Sequence, residues 1–207
     1  MKGSSAVPAV LLVLAAGCQT DDMPPQPGYV STNHSGIAAV APSVTAGGSR
    51  SSAANASVHG DRRYFVEFRS RYALTYGHTY VVHGRTNKAG TAIERNVAGL
   101  HPASTSALPY VLGHFVPVPA ETGWSDGDLE EEYRSASWRV MLNEAEYRDV
   151  AGYIRKLQAS SRLWQASVYN CNAFTGKIAR HMGYRAPSNY LRPQEFITSL
   201  REMNTGR

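Results

Sequence analysis

The sequence predicts an α+β domain in which an antiparallel sheet packs against helices. Runs rich in aromatic and β-branched residues, typical of strands, occur between residues 64 and 142. Amphipathic helical spacing dominates from residue 143 onward. The chain has 207 residues, of which 43% are hydrophobic and 18% charged, and this composition is typical of one globular domain with appendages. A fibrous or fully disordered protein is therefore excluded.

The amino-terminal residues 1–17 have the anatomy of an export signal. Lys2 is followed by an apolar stretch from Ala6 to Ala16, which is too short to span a bilayer. The run from Leu14 to Cys18 resembles the lipobox of bacterial lipoproteins. That resemblance implies cleavage before Cys18 and attachment of a lipid to its sulfur. The alternative is an ordinary secretory signal with a chance cysteine.

Residues 18–60 are predicted to be a lipidated cysteine followed by a flexible tether. Small and polar residues dominate this segment without a helical or alternating period. A coil of about 42 residues reaches on the order of 35 Å. We therefore expect the domain formed by residues 61–207 to lie in the periplasm, anchored to a membrane of the bacterial cell envelope. Gln19 after the cysteine, rather than an aspartate, favours the outer membrane.

The formal charge is +5, and most of the basic residues are arginines. Guanidinium groups match carboxylates and phosphates, so cell-wall peptides or lipid head groups are suitable neighbours. An arginine-rich genome would explain the same composition. We expect no nucleic-acid partner, no cofactor and no metal. The histidines at 78 and 83 are five residues apart on one predicted strand and so face opposite sides.

Strands are predicted from their content of aromatic and β-branched residues and from alternation. They are Tyr64–Phe68, Thr79–Val82, Thr91–Val97, Tyr110–Val118 and the alternating run Trp138–Leu142. The turn cluster Thr86–Gly90 predicts a hairpin between the second and third of them.

Three helices follow the last predicted strand. Asn143 and Glu146 form a capping-box pattern before residues with helical spacing. A second helix is predicted to begin around Cys171, because Phe174, Ile178 and Met182 recur every four residues. The last helix has Pro193 in its first turn, with four apolar residues expected inside: Phe196, Ile197, Leu200 and Met203.

Cys171 is the candidate nucleophile. It lies at a predicted helix start, where the helix dipole and unpaired backbone amides lower a thiol pKa and can bind an oxyanion. If Cys18 carries a lipid, Cys171 has no intramolecular partner in a compartment that oxidises thiols. The alternative is that Cys171 packs beside Phe174 as a small apolar residue.

His78 is the candidate base, because it lies at the mouth of a strand that could direct its imidazole towards the helix start. A hairpin centred near residue 89 places His101 almost opposite His78, where it could orient the ring. Glu94 would pair nearer His83 but remains an alternative orienting residue, since a one-residue slip changes the face of each side chain. A purely structural histidine is the competing interpretation of His78.

The order of these features resembles that of circularly permuted papain-like (NlpC-type) folds. In both, a histidine at a strand is followed by a hairpin, an amphipathic helix and an Asn-Cys pair at a helix start. The segment from Trp138 to Pro187 resembles the amino-terminal periplasmic domain of Lnb-type proteins. The motif from Tyr169 to Phe174 is similar to that of PPPDE peptidases. His78 and His101 resemble the paired histidines of lecithin retinol acyltransferase-like proteins.

This resemblance covers residues 63 to 203 and implies a cysteine hydrolase or acyltransferase that cleaves an amide or ester bond. Cys171, His78 and His101 would be catalytic, and Asn170 and Tyr169 would line the binding site. Peptidoglycan stem peptides are the first expected substrate, and lipoprotein or phospholipid acyl chains are the second. A non-catalytic envelope module that binds in the same groove is the alternative function.

Overall fold

The computed structural model of the protein describes residues 62–73, 76–104 and 106–206. The predicted signal peptide, the lipidation site Cys18 and the tether lie outside the described residues. The described chain confirms the α+β class, with an antiparallel sheet and helices packed on it.

The predicted order of strands followed by three helices is only partly found, because a short helix precedes the fourth strand and a sixth strand separates two of the later helices. The strands are β1 (Tyr64–Arg71), β2 (His78–Thr86), β3 (Ala92–Pro102), β4 (Val118–Thr122), β5 (Arg134–Leu142) and β6 (Leu163–Trp164). The helices are α1 (Ala107–Leu112), a 3-10 turn (Glu131–Tyr133), α2 (Glu144–Ser160), α3 (Cys171–His181) and α4 (Pro193–Thr205).

The six strands form one sheet in the order β5-β1-β2-β3-β4-β6. The predicted hairpin is confirmed, because β2 and β3 pair with Val82 opposite Val97 and with Tyr80 opposite Gly99. Continuing this register by two residues brings His101 opposite His78, as the hairpin centre predicted. The same register pairs Glu94 with Arg85, far along the strand from His78.

The two faces of the sheet have different neighbours. Val66, Phe68 and Val81 belong to the main apolar core beneath the helices. The alternate residues Phe65, Tyr80 and Val82 form a separate small cluster on the opposite face. α3 packs against β2 and β3, whereas α4 packs mainly against β5 and β1. The start of α3 is thereby held against the central strands.

The helix starts agree with the sequence. The capping box of Asn143 and Glu146 is present at α2, and Pro193 occupies the first turn of α4. Asn170 caps α3 by accepting a hydrogen bond from the amide of Ala173. One apolar expectation is wrong, because Met203 is 37% exposed.

The predicted strand from Tyr110 to Val118 is wrong over most of its length. Residues 107–112 form α1, and β4 begins only at Val118. The Ser106 side chain accepts a hydrogen bond from the amide of Leu108 and so caps this short helix. Pro109 cannot donate to a strand ladder, whereas its missing N–H is tolerated in a first helical turn.

Candidate active site

Cys171 is the first residue of α3 and is buried against the start of β2. Burial raises the pKa of its thiol, and hydrogen bonding with the Thr79 side chain and with the backbone amides of Thr79, Asn172 and Cys171 lowers it by less. The amides at the helix start therefore act in the predicted direction. The predicted net lowering of the thiol pKa is nevertheless wrong for the resting protein, and the thiol is protonated at neutral pH.

The start of α3 is fixed by two buried asparagines. Asn170 donates from Nδ2 to the carbonyl oxygens of Ala166 (2.8 Å) and Asn189 (3.0 Å), while its Oδ1 caps the helix. Asn172 donates to the carbonyl of Leu191 at 2.7 Å and accepts a 2.9 Å hydrogen bond from the Thr79 hydroxyl. Asn172 thus ties the helix start to β2, beside Cys171.

His78 and His101 lie side by side at the end of the sheet, as predicted. Their ring centroids are 6.1 Å apart in an edge-to-face arrangement, and the His78 ring also stacks on Tyr80 at 5.7 Å. A Cβ at Gly99 would stand 2.8 Å from His78 Nε2, so glycine at this position makes room for the imidazole. The Nε2 atoms of both histidines are buried and have no hydrogen-bond partner among the described residues.

The backbone carbonyl of the next residue, Pro102, selects one tautomer of His101. Its Nδ1 lies 3.1 Å from the carbonyl oxygen of Pro102, which can only accept a hydrogen bond. In a neutral imidazole, Nδ1 therefore carries the proton, and the buried Nε2 of His101 is an acceptor.

A buried ion pair lies beside the two histidines. Arg71 Nε donates to Asp128 Oδ1 at 2.6 Å, and the amide and hydroxyl of Ser125 donate to Asp128 Oδ2. Burial lowers the pKa of His78 to about 4, with Asp128 raising it and Arg71 and His101 lowering it. His78 is consequently a neutral imidazole at neutral pH.

The resting geometry does not join the thiol to the imidazole. No hydrogen bond connects Cys171 and His78 in the part of the chain that the structure describes. Alternation along β2 directs Thr79 to the helix-bearing face and His78, with Tyr80, to the other face. His78 is the first residue of β2 and directly follows Gly77, which has φ +93°.

The two predicted binding residues use their polar atoms internally. Every side-chain polar atom of Asn170 is taken by the cap and the two carbonyls. The Tyr169 hydroxyl lies 2.7 Å from Ser161 Oγ, and its ring receives Lys177 Nζ at 4.2 Å. Both side chains therefore shape the loop before Cys171, and their role in binding stays a prediction.

Four residues that the sequence analysis did not single out belong to this site: Arg71, Thr79, Asp128 and Asn172. Asn172 lies within the Tyr169–Phe174 motif, directly after Cys171. Asp128 lies in a loop 57 positions from Arg71, and no local pattern relates the two. Glu94 is not at the site, because it is exposed and its charge acts on His83 instead.

His83 lies towards the other end of β2, where its Nδ1 is 3.1 Å from the Tyr147 hydroxyl. The predicted opposite facing of His78 and His83 is therefore confirmed. No group of three metal-binding side chains occurs among residues 62–73, 76–104 and 106–206. No helix in the described part of the chain is long and apolar enough to cross a bilayer.

The chain was compared with protein-family models, with curated proteins and with solved structures, and none of these comparisons gave a match.

Proposed function

We propose that this protein is a lipid-anchored, extracytoplasmic cysteine hydrolase or acyltransferase with a circularly permuted papain-like fold. Its expected substrate contains an amide or ester carbonyl, with peptidoglycan stem peptides as the first class and acyl chains as the second. One observation carries the proposal: a buried thiol occupies the first position of α3, next to free helix-start amides and to the strand end that bears His78.

The helix start supports acyl chemistry because two of its amides remain available. The amide of Ala173 is taken by the Asn170 cap, whereas those of Cys171 and Asn172 point towards the sulfur. Amides in this position can donate to the oxygen that becomes negatively charged when a sulfur attacks a carbonyl. They would stabilise the tetrahedral intermediate without moving.

The tautomer of His101 supports a basic His78. If His78 donates its Nε2 proton to the acceptor Nε2 of His101, its Nδ1 keeps a free lone pair. Both Nε2 atoms lack another partner among the described residues, so this hydrogen bond would satisfy the two at once. His101 would then be a positioning residue, and His78 the base.

The reaction would begin with transfer of the Cys171 proton to His78 Nδ1 as the substrate binds. Catalytic hydrogen bonds are often incomplete before substrate arrives, so the resting separation is compatible with this step. The thiolate attacks the carbonyl carbon, and His78 returns the proton to the departing amine or alcohol. Water or an acceptor hydroxyl or amine then cleaves the thioester and regenerates the thiol.

A non-catalytic binding module is the second candidate, and three observations favour it. The thiol and imidazole are not hydrogen-bonded, burial raises the pKa of Cys171, and burial lowers the pKa of His78. In that case Cys171 would be an inert apolar residue at the floor of a groove.

The deciding experiment is acylation of the protein by a p-nitrophenyl ester, followed by mass spectrometry of the Cys171 peptide. His78→Ala should slow acylation by about 100-fold or more, which is typical of losing a general base. The matched control is His83→Ala, on the same strand but away from the thiol, which should leave the rate within twofold. Absence of acylation at Cys171, or equal rates in the two variants, would establish the binding module.

A further inference from the structure

A second polar site lies on the face of the sheet opposite the helices, away from Cys171. A cavity of about 240 Å³ opens there between β1, β5 and the β2–β3 hairpin. The charged residues of its lining are four arginines and one glutamate: Arg69, Arg95, Arg134, Arg139 and Glu131. We call it the arginine pocket.

The carboxylates near the arginine pocket cannot neutralise its cations. Buried Glu67 accepts hydrogen bonds from Arg69 (3.0 Å) and Arg139 (2.7 Å) and lies 3.4 Å from Arg134. Glu131 contacts Arg69 at 2.8 Å and Arg134 at 2.9 Å. Four guanidinium groups thus face two carboxylates, which leaves two positive charges without a counter-charge.

One arginine of the pocket forms no ion pair among the described residues. Arg95 lines the cavity from β3, and its side chain forms no ion pair or hydrogen bond with another described residue. Its side chain is exposed, so it can reach a ligand from the rim without losing another contact.

Two arginines that line the pocket, and the Tyr80 hydroxyl beside them, contain buried donors that are not used. Arg69 Nε, Arg134 Nε and the Tyr80 hydroxyl are buried and lack a hydrogen-bond partner in the described part of the chain. The Arg69 side chain is only 5% exposed, and Tyr80 is fully buried. A buried donor without a partner is costly, so these donors would be stabilised by negative charge bound in the neighbouring pocket.

We infer that the arginine pocket binds a doubly charged oxyanion of the phosphate type. Guanidinium forks match phosphate oxygens in pairs, and the two uncompensated charges equal those of a phosphate monoester. The cavity is smaller than most ligand pockets, roughly 300–1,000 Å³, which suits a small anion rather than an extended chain. This site does not depend on the proposed activity of Cys171, whose side chain is on the other face.

The test is titration calorimetry with inorganic phosphate at fixed ionic strength, on the whole chain carrying Cys18→Ser to prevent the predicted lipidation. Arg95→Gln should weaken binding at least tenfold. The matched control Arg85→Gln removes an exposed arginine that alternates to the other face of the sheet, and it should change affinity less than twofold. Equal unfolding midpoints of the two variants would establish that both fold.

Vesicles of phosphatidylcholine with and without phosphatidic acid distinguish the source of the phosphate. If a lipid head group is the ligand, Arg95→Gln reduces binding to the phosphatidic acid vesicles more than Arg85→Gln does. If free phosphate is the ligand, only the calorimetric difference remains. Absence of phosphate binding to the parent protein, or an equal loss in both variants, would overturn the proposal.

Discussion

The end of the sheet near Cys171 and the arginine pocket respond to burial in opposite ways. Near Cys171, burial raises the pKa of the thiol and lowers that of His78 to about 4, so both groups are neutral. Beside the arginine pocket, burial raises the pKa of Glu67, but Arg69 and Arg139 together lower this pKa by more than burial raises it. The carboxylate therefore stays ionised. The buried groups near Cys171 are uncharged, whereas the buried groups beside the arginine pocket are charged and form ion pairs.

The difference indicates what each site is built to do. Neutral groups with unused lone pairs can exchange a proton without first breaking an ion pair. An ion-pair network holds its side chains in place and leaves its surplus positive charge available, which suits recognition of an anion. Four changes would break or sharpen this comparison.

Glu67→Gln should have the largest effect, because it leaves three arginines around a site without its negative charge. We expect the free energy of unfolding to fall by about 3–5 kcal/mol, the cost of removing one partner from a buried ion pair. Urea unfolding would measure it. Glu94→Gln, an exposed carboxylate on β3, is the control and should change stability by less than about 0.5 kcal/mol. Similar losses in both variants would contradict the assignment of Glu67 as the structural counter-charge.

Asn170→Ala should come next, because it removes the α3 cap and leaves the carbonyls of Ala166 and Asn189 without this donor. The expected loss is about 2–3 kcal/mol, above the ~1 kcal/mol of an ordinary exposed cap. Asn143→Ala, which removes the exposed cap of α2, provides that lower reference in the same thermal unfolding series. If the two losses were equal, the buried hydrogen bonds of Asn170 would contribute nothing.

Acid should destabilise the protein through His78 and His83, whose pKa values burial lowers from 6.5 to about 4. The unfolded chain binds these protons and the folded chain does not, so stability is complete above pH 6.5 and falls as the pH drops towards 4. Each histidine should contribute a loss of about 2 kcal/mol between pH 7 and pH 5. His78→Gln and His83→Gln should each flatten the measured dependence, and an unchanged slope would mean that the histidine is accessible to solvent.

Gly99→Ala should have the smallest effect on stability and a specific effect on the site. The new methyl group would stand 2.8 Å from His78 Nε2 and 3.2 Å from Tyr80 Cβ, so the imidazole must move. We expect a loss of about 1 kcal/mol, a displaced His78 ring resonance in NMR spectra and slower acylation of Cys171. Gly152→Ala in α2 meets only a distant arginine atom and should stabilise the helix by up to about 1 kcal/mol. An unchanged His78 resonance in Gly99→Ala would argue against the packing described for that ring.

Local patterns predicted a large part of the fold because they depend on neighbours in sequence. The hairpin register followed from the turn at residues 86–90, and it brought His101 next to His78. The capping residues Asn143 and Asn170 fixed where α2 and α3 begin. The strand prediction for residues 110–118 was wrong. The apolar residues of this segment suit a strand, but Ser106 and Pro109 favour a short helix that begins just before it.

By itself, the sequence determined the α+β class, the helix start at Cys171 and the neighbouring histidines, since caps, turns and alternation act over a few residues. Only the tertiary structure decided the protonation of the thiol and imidazole, because burial is the sum of contacts from distant elements. It also decided the Arg71–Asp128 pair and the arginine pocket. The residues of both groups come from separate strands and loops. Arginines that are distant in sequence form a site only because strand pairing places their side chains on one face of the sheet.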